Sequence, residues 1–441
     1  MKKIVLSLFL FALTANMVAE DHVMAATKRA PERDVPATLN LSLTEAQDYA
    51  VETNRSLRNA DLAVQKAYAS RWQTIASMLP SVDMSWAFQS MMGYKMNFGT
   101  MPIDMPDNGT LGITAAVGIN GQAIVGALLN NVAIDMQKLN LEQSEDNLRA
   151  NIKTSYASVL VLQNVVTLLE NSLANIEQMA AMTQRSVDVG AAEQTTADLI
   201  NVRANTLRNN INANLRSTQL ALNALKVLLD VPAETELQLT TTLEDVLSAE
   251  TVLQLLGNEF ILENNLNYQL LEKNVELAEK NVHMAGWAYG PTIGVGYQYS
   301  KKDYFGEKEG FNMTPPNALS VQVSMPLWSS GKRAAGVVEK KIALEEARNT
   351  FAETTNNLGI QNDQLRYNLQ NAYETFTNEQ ENMGVTQRVF DNTTRKFQQG
   401  AASNLDLVNA SNDLITAQSN YVQAVLTLVN AQVELEKFLN L

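Results

Sequence analysis

Met78-Leu79-Pro80-Ser81-Val82-Asp83-Met84 and Tyr289-Gly290-Pro291-Thr292-Ile293-Gly294-Val295 make the same transition in two places: each closes a helical pattern and opens an alternating one. A second pair, Val187-Asp188-Val189-Gly190-Ala191-Ala192 and Phe397-Gln398-Gln399-Gly400-Ala401-Ala402, stands at the same lag of about 210 residues. One shared lag at two separate sites is the mark of a duplicated unit. Reading outward from the first transition, apolar positions recur at helical spacing from Leu57 through Leu62 and Val64 to Ile75 and Leu79. Ser42 or Thr44, in Leu41-Ser42-Leu43-Thr44-Glu45-Ala46, is placed to cap the start of that helix. After Pro80 the period becomes two: Val82, Met84, Trp86 and Phe88 alternate with Ser81, Asp83, Ser85 and Gln89. A loop from 93 to 110 follows, then a second alternating run through Leu111, Ile113, Ala115, Val117 and Ile119. Past Pro291 the pattern repeats with Ile293, Val295, Tyr297 and Tyr299, a loop, and Leu319, Val321, Val323 and Met325.

Beyond each pair of strands the helical period returns and persists. None of the 10 prolines lies between Pro106 and Pro232 or after Pro326, so nothing in either stretch breaks a helix interior. Residues 122–188 and 332–399 each read as one helix, roughly 67 residues or about 100 Å at ~1.5 Å per residue. Gly190 and Gly400 suit left-handed caps that turn the chain back along residues 198–230 and 406–440. The last helix carries two apolar stripes, one with Leu407, Leu414, Tyr421, Val425 and Leu428, the other with Val408, Ile415, Val422, Leu426, Val429 and Val433. Two stripes imply two neighbours, as in a helix that forms part of a wall. The expected organisation is a signal peptide at 1–26, a linker at 27–40, a first repeat at 41–231 with its strand hairpin at about 81–121, an inter-repeat segment at 232–262, and a second repeat at 263–441 with its hairpin at about 291–328.

The signal is read from Lys2 and Lys3, the apolar run 4–15, and small residues at Ala19, Ala25 and Ala26. No later segment is expected to hold a transmembrane helix, which leaves an exported chain periplasmic, secreted, or part of an outer-membrane β-barrel. Strands of about ten residues match the length that crosses a bilayer when tilted. Such strands leave no edge unpaired in lipid, and four are fewer than the roughly eight of the smallest barrels, so several chains must combine. Trp86, Phe88, Tyr297, Tyr299, Tyr304 and Trp328 are expected to form interfacial girdles. The competing architecture is a pair of soluble hairpins on a coiled coil, as in a periplasmic adaptor or structural protein.

Other chemistries find few residues. The net charge of −14 disfavours nucleic acid as a partner, and the absence of cysteine removes disulfides and thiol chemistry. Of two histidines, His22 falls within the signal and His283 reads as a surface residue. No catalytic constellation, cofactor site or metal site is expected. Met91, Met92, Met96, Met101 and Met105 crowd the first external loop, where thioethers suit Cu(I), although loop packing is the preferred reading.

Val323-Ser324-Met325-Pro326-Leu327-Trp328-Ser329-Ser330-Gly331-Lys332-Arg333 resembles the strand-to-helix junction of TolC-like outer-membrane efflux proteins. The opening helix at Leu41-Ser42-Leu43-Thr44-Glu45-Ala46, the first strand entry at Leu79-Pro80-Ser81-Val82, and Gly400 followed by Leu405-Asp406-Leu407-Val408-Asn409-Ala410 resemble the same family in order and spacing, and Pro291 makes the matching strand entry of the second repeat. The resemblance implies a mainly α fold, in which a long helical barrel continues a trimeric twelve-stranded membrane β-barrel. It also implies a homotrimer in contact with outer-membrane lipid, a periplasmic adaptor and an inner-membrane transporter, with export that leaves substrates unchanged and needs no cofactor. Positions that close the tunnel tip in the family fall here on Phe397, Ala402, Asp406 and Asn409, so one carboxylate remains. Asp406 then either forms a cation-attracting ring from three chains or caps its helix. The first half departs from the pattern: Gly118-Ile119-Asn120-Gly121-Gln122 replaces the Pro-Leu-Trp step, and Asp198 lies two residues further from Gly190 than Asp406 does from Gly400, which reads as a longer turn.

Overall fold

The computed structural model describes residues 36–99, 101–190, 192–305 and 315–441; the expected signal peptide lies outside them. The elements are β1 (Thr38–Leu41), α1 (Leu43–Thr53), α2 (Arg55–Ala76), β2 (Ser81–Gln89), β3 (Lys95–Phe98), β4 (Met101–Asp104), β5 (Asn108–Asn120), α3 (Gly121–Asp188), α4 (Gln194–Leu229), β6 (Glu236–Leu239), α5 (Leu243–Val246), α6 (Ala249–Gly257), α7 (Leu266–Gly286), β7 (Thr292–Tyr304), β8 (Asn317–Ser324), α8 (Lys332–Gln398) and α9 (Asn404–Leu439). α3 and α8 are 68 and 67 residues long, and α4 and α9 are 36 residues each. Compactness follows a different division from the expected repeats. Among the described residues one unit holds 61–139 and 270–352, and the other holds 36–60, 140–269 and 353–441, so each draws on both halves of the chain.

The first unit contains the sheet, with strand order β2-β5-β7-β8 and every pair antiparallel. The two expected hairpins therefore join through β5 and β7 into one surface. Few of this unit's apolar side chains are buried within the chain: Val64, Val125, Val132 and Ile134 are those below a tenth exposed among the described residues.

The second unit carries the cores. Its larger cluster gathers Leu148, Ile152 and Tyr156 of α3, Leu225 and Leu229 of α4, Leu369 and Phe376 of α8, and Val425, Leu428 and Leu435 of α9. A smaller cluster joins Ile176, Met179, Ile200, Leu207, Phe390, Leu407 and Leu414. Both stripes read on the last helix supply these clusters, with Val425 and Leu428 from one and Val429 and Val433 from the other.

Three expectations are corrected. The segment read as a linker to residue 40 contains β1, which pairs parallel with β6. Leu39, Leu41 and Leu237 are buried there, and Tyr156, itself fully buried, donates to the Leu41 carbonyl at 2.9 Å and accepts from Thr241 N–H at 3.0 Å. The opening helix is also broken. Asn54 accepts N–H groups of Ser56 and Leu57 at 2.8 and 3.2 Å and so caps α2, while its amide donates to the Leu228 carbonyl at 2.8 Å. Finally, α3 does contain an 18-residue window apolar enough by composition to cross a membrane, with mean hydropathy 1.3, but half of that window is buried against protein.

Candidate functional site: the two sheet faces, the junctions and the turns

In an antiparallel sheet, directly paired residues share a face. The register therefore decides whether the apolar residues of four separate strands meet, and they do. Across the sheet run the rows Trp86–Leu111–Lys301, Met84–Ile113–Tyr299–Asn317, Val82–Ala115–Tyr297–Leu319, Val117–Val295–Val321 and Ile119–Ile293–Val323. One face is thus a continuous apolar band. At its upper edge the Lys301 ammonium pairs with Asp303 at 3.3 Å. From Lys301 to Ile293 the strand covers about 26 Å at ~3.3 Å per residue, comparable to the ~25 Å apolar band of membrane barrels.

The opposite face is small and polar. It carries Ser81, Asp83 and Ser85 of β2, Thr110, Gly112, Thr114 and Ala116 of β5, Gly294, Gly296 and Gln298 of β7, and Ser320 and Gln322 of β8. Tyr304, expected in a girdle, is in register with Asn108 and belongs to this face. Phe88 remains on the apolar face, where its ring centroid lies 5.8 Å from that of Phe305. Both outer strands, β2 and β8, are exposed along their whole length and have an unpaired edge.

At the helix-side end of the sheet the two junctions are built differently. After β8, Ser330 and Gly331 take φ of 48° and 82° and reverse the chain into α8. Arg333 fastens this turn by donating to the Pro326 carbonyl at 2.6 Å and the Ser329 hydroxyl at 3.0 Å, with its guanidinium 5.0 Å from the Tyr289 ring centre. Leu327 and Trp328 stand outward at the apex, 88% and 85% exposed. After β5, Asn120 caps α3 by accepting the Ala123 N–H at 2.7 Å. The Trp287 ring packs onto Gly121 so closely that a Cβ there would lie 2.1 Å from it. Glycine at 121 thus serves a close approach, which the bare comparison with the Pro-Leu-Trp step did not reveal. Pro80 and Pro291 stand immediately before β2 and β7, where the chain enters extended structure.

The turns that follow the two long helices are equal in length, which corrects the expected longer first turn. Gly190 and Gly400 have φ of 76° and 72°, and each following helix starts four residues later, at Gln194 and Asn404. Asp198 is simply the fifth residue of α4, held by the Gln194 amide at 2.9 Å. Asp406 is the third residue of α9 and closes a capping box: it accepts the Ser403 N–H at 2.8 Å and hydroxyl at 2.7 Å, and its own N–H donates to Ser403 Oγ at 3.1 Å. These bonds, the hydroxyl's foremost, hold its carboxyl below the usual carboxylate range. Asn409 is exposed one turn further on, and Phe397 packs against the smaller core cluster.

The external methionine loop contains the β3–β4 hairpin; the side chain of Met101 lies outside the described residues. His283 is exposed. Among the described residues no group of three or more His, Asp or Glu side chains is placed to hold a metal ion.

An incomplete sheet with one apolar and one polar face, set on helices of nearly 70 residues, defines a protomer of an oligomeric membrane channel. Comparison with known proteins agrees. Residues 259–441 match the outer membrane efflux protein family. The outer membrane efflux protein BepC of Brucella suis biovar 1 (strain 1330) is 25% identical over 347 residues, covering 75% of this chain and 72% of its own length. Two solved structures share the fold: CusC, studied for folding and transmembrane channel formation (TM-score 0.73, 16% identity, 93% of this chain and 95% of CusC), and the outer membrane protein VceC of Vibrio cholerae (0.72, 15%, 90% and 95%).

Proposed function

We propose that three copies of this chain join edge to edge, β8 of one against β2 of the next, into a twelve-stranded barrel in the outer membrane. The long helices carry the passage on through the periplasm. A periplasmic adaptor and an inner-membrane transporter deliver substrates to it, and these leave chemically unchanged. The observation that supports this reading most strongly is the register of the sheet, which collects the apolar residues of four strands on one face and leaves two full-length edges open. In lipid both edges must be paired, and the polar face, lined by small residues, becomes the wall of a water-filled lumen.

Two roles are proposed for the far turn. Asp406 stabilises the start of α9, and the same carboxylates from three chains ring the tunnel tip and attract cations. Phe397 and Asn409 flank that constriction, with Gly190 and Asp198 in the companion turn. Single-channel recording of the purified oligomer in planar bilayers is the test. A conducting pore is expected, and Asp406→Asn, which keeps an acceptor for the cap, is expected to lower cation preference. Absence of conductance would overturn the channel; unchanged selectivity would overturn the ring alone.

A further inference from the structure

The helix-side end of the sheet differs in charge from the rest of the molecule. The chain holds 47 acidic and 33 basic residues, yet the segments that run into and out of this end, 71–82, 108–134, 284–302 and 315–338, contain no Asp or Glu, and Asp83, the first acidic residue of β2, stands on the polar face. The charges they contribute at this end are Arg71, Lys332 and Arg333. Within this belt the loop between β8 and α8 is rigidly made. Its reversal uses two successive left-handed residues, and Arg333 is committed to Pro326, Ser329 and the Tyr289 ring. The result is an apex that holds Leu327 and Trp328 almost wholly in the open, with Lys332 exposed beside them. The loop starts directly after Val323 and Ser324, the end of β8, so it stands at the lower edge of the face read above as facing lipid, and Met325 is exposed there as well.

We infer that this loop is a binding site for an anionic phospholipid of the adjoining leaflet. Leu327 and Trp328 enter the outer part of the acyl layer, as amphipathic aromatics do at membrane interfaces. The Lys332 ammonium then meets the headgroup phosphate at the depth where the apolar face ends. Arg333 acts as a positioning residue, since its bonds fix the apex in the presenting conformation. Two observations select this occupant: the loop leaves the sheet at the lower edge of the lipid-facing band, and the charge it presents is positive on a strongly acidic chain. The inference rests on the channel reading and adds to it a preference among lipids.

The test uses the purified full-length oligomer in nanodiscs of phosphatidylcholine with a minor fraction of phosphatidylglycerol, one or the other brominated on its acyl chains. The difference in tryptophan emission between the wild type and Trp328→Phe isolates Trp328. Brominated phosphatidylglycerol is expected to quench it more strongly than brominated phosphatidylcholine at the same mole fraction. Lys332→Gln should weaken the preference about fivefold, the worth of one basic residue at an anionic surface. Equal quenching by both lipids, or a Trp328 shielded from both by a neighbouring copy, overturns the site. Heat-modifiable migration of the same samples separates the two readings: an intact oligomer with unquenched Trp328 removes the lipid site alone, whereas no oligomer removes the channel and the site with it.

Discussion

A lysine at position 321 separates a membrane sheet from a soluble one. Val321 lies in the row Val117–Val295–Val321, one row from the middle of the apolar band, and Gln322, its neighbour in sequence, points to the polar face in register with Gly294. On the lipid side of a barrel, lysine near the bilayer midplane costs about 2–4 kcal/mol. Each trimer would carry three such substitutions, which raises the penalty to roughly 6–12 kcal/mol, on the order of a whole domain's stability. Gln322→Lys leaves its ammonium in the wet lumen and should stay within about 0.5 kcal/mol, as surface substitutions do. The assay is folding of the two variants into phospholipid vesicles across a urea series, with heat-modifiable oligomer as the readout. The Val321 variant should lose oligomer at urea concentrations where the Gln322 variant and the wild type retain it. Equal behaviour of the two variants would refute the assignment of faces.

Three further outcomes follow from the same geometry. Gly121→Val forces a side chain into the Trp287 ring and should destabilise the junction by about 1–3 kcal/mol with a shift in tryptophan emission, whereas Gly118→Ala, with open space around it, should be neutral in both. Tyr156→Phe strands the Thr241 N–H and leaves the Leu41 carbonyl with the Thr240 N–H alone, and should cost about 1–3 kcal/mol, seen as faster hydrogen exchange in β1 and β6. The Asp406 carboxyl is held below its ordinary pKa in the fold, so its contribution is present above the unfolded pKa and is lost as pH falls through the folded value. The hydrogen-exchange protection of the first turn of α9, taken relative to the intrinsic rate at each pH, should therefore fall on strong acidification, and Asp406→Asn should abolish that pH dependence of the protection.

How far the sequence could be read depended on the range of the interaction. The strand alternation and the long helices are local periodicities, and the partition of polar and apolar residues needs no knowledge of partners. The register then does what alternation promises, setting Val82, Ala115, Tyr297 and Leu319 side by side. β1 escaped notice because four residues carry little pattern and its partner lies some 198 positions away. The closeness of Trp287 and Gly121 was likewise invisible, since it depends on two junctions that only the folded sheet brings together. Asp198 misled for a simpler reason: a carboxylate near a turn resembles Asp406 until the start of each helix is known. The Ser403–Asp406 spacing is a legible capping signal, though sequence alone leaves a cap and a ring of Asp406 side by side.

The central claim is that this sheet is one third of a closed barrel. Because the chain contains no cysteine, paired substitutions on the open edges report without background. Cysteines placed singly at Ser81, Asp83 or Ser85 of β2 and at Ser320, Gln322 or Ser324 of β8 in one chain should, in at least one register, oxidise between copies into a covalent ladder that ends at three chains. Cross-linking that closes within a single chain, that continues past three, or that occurs in no register would contradict the account.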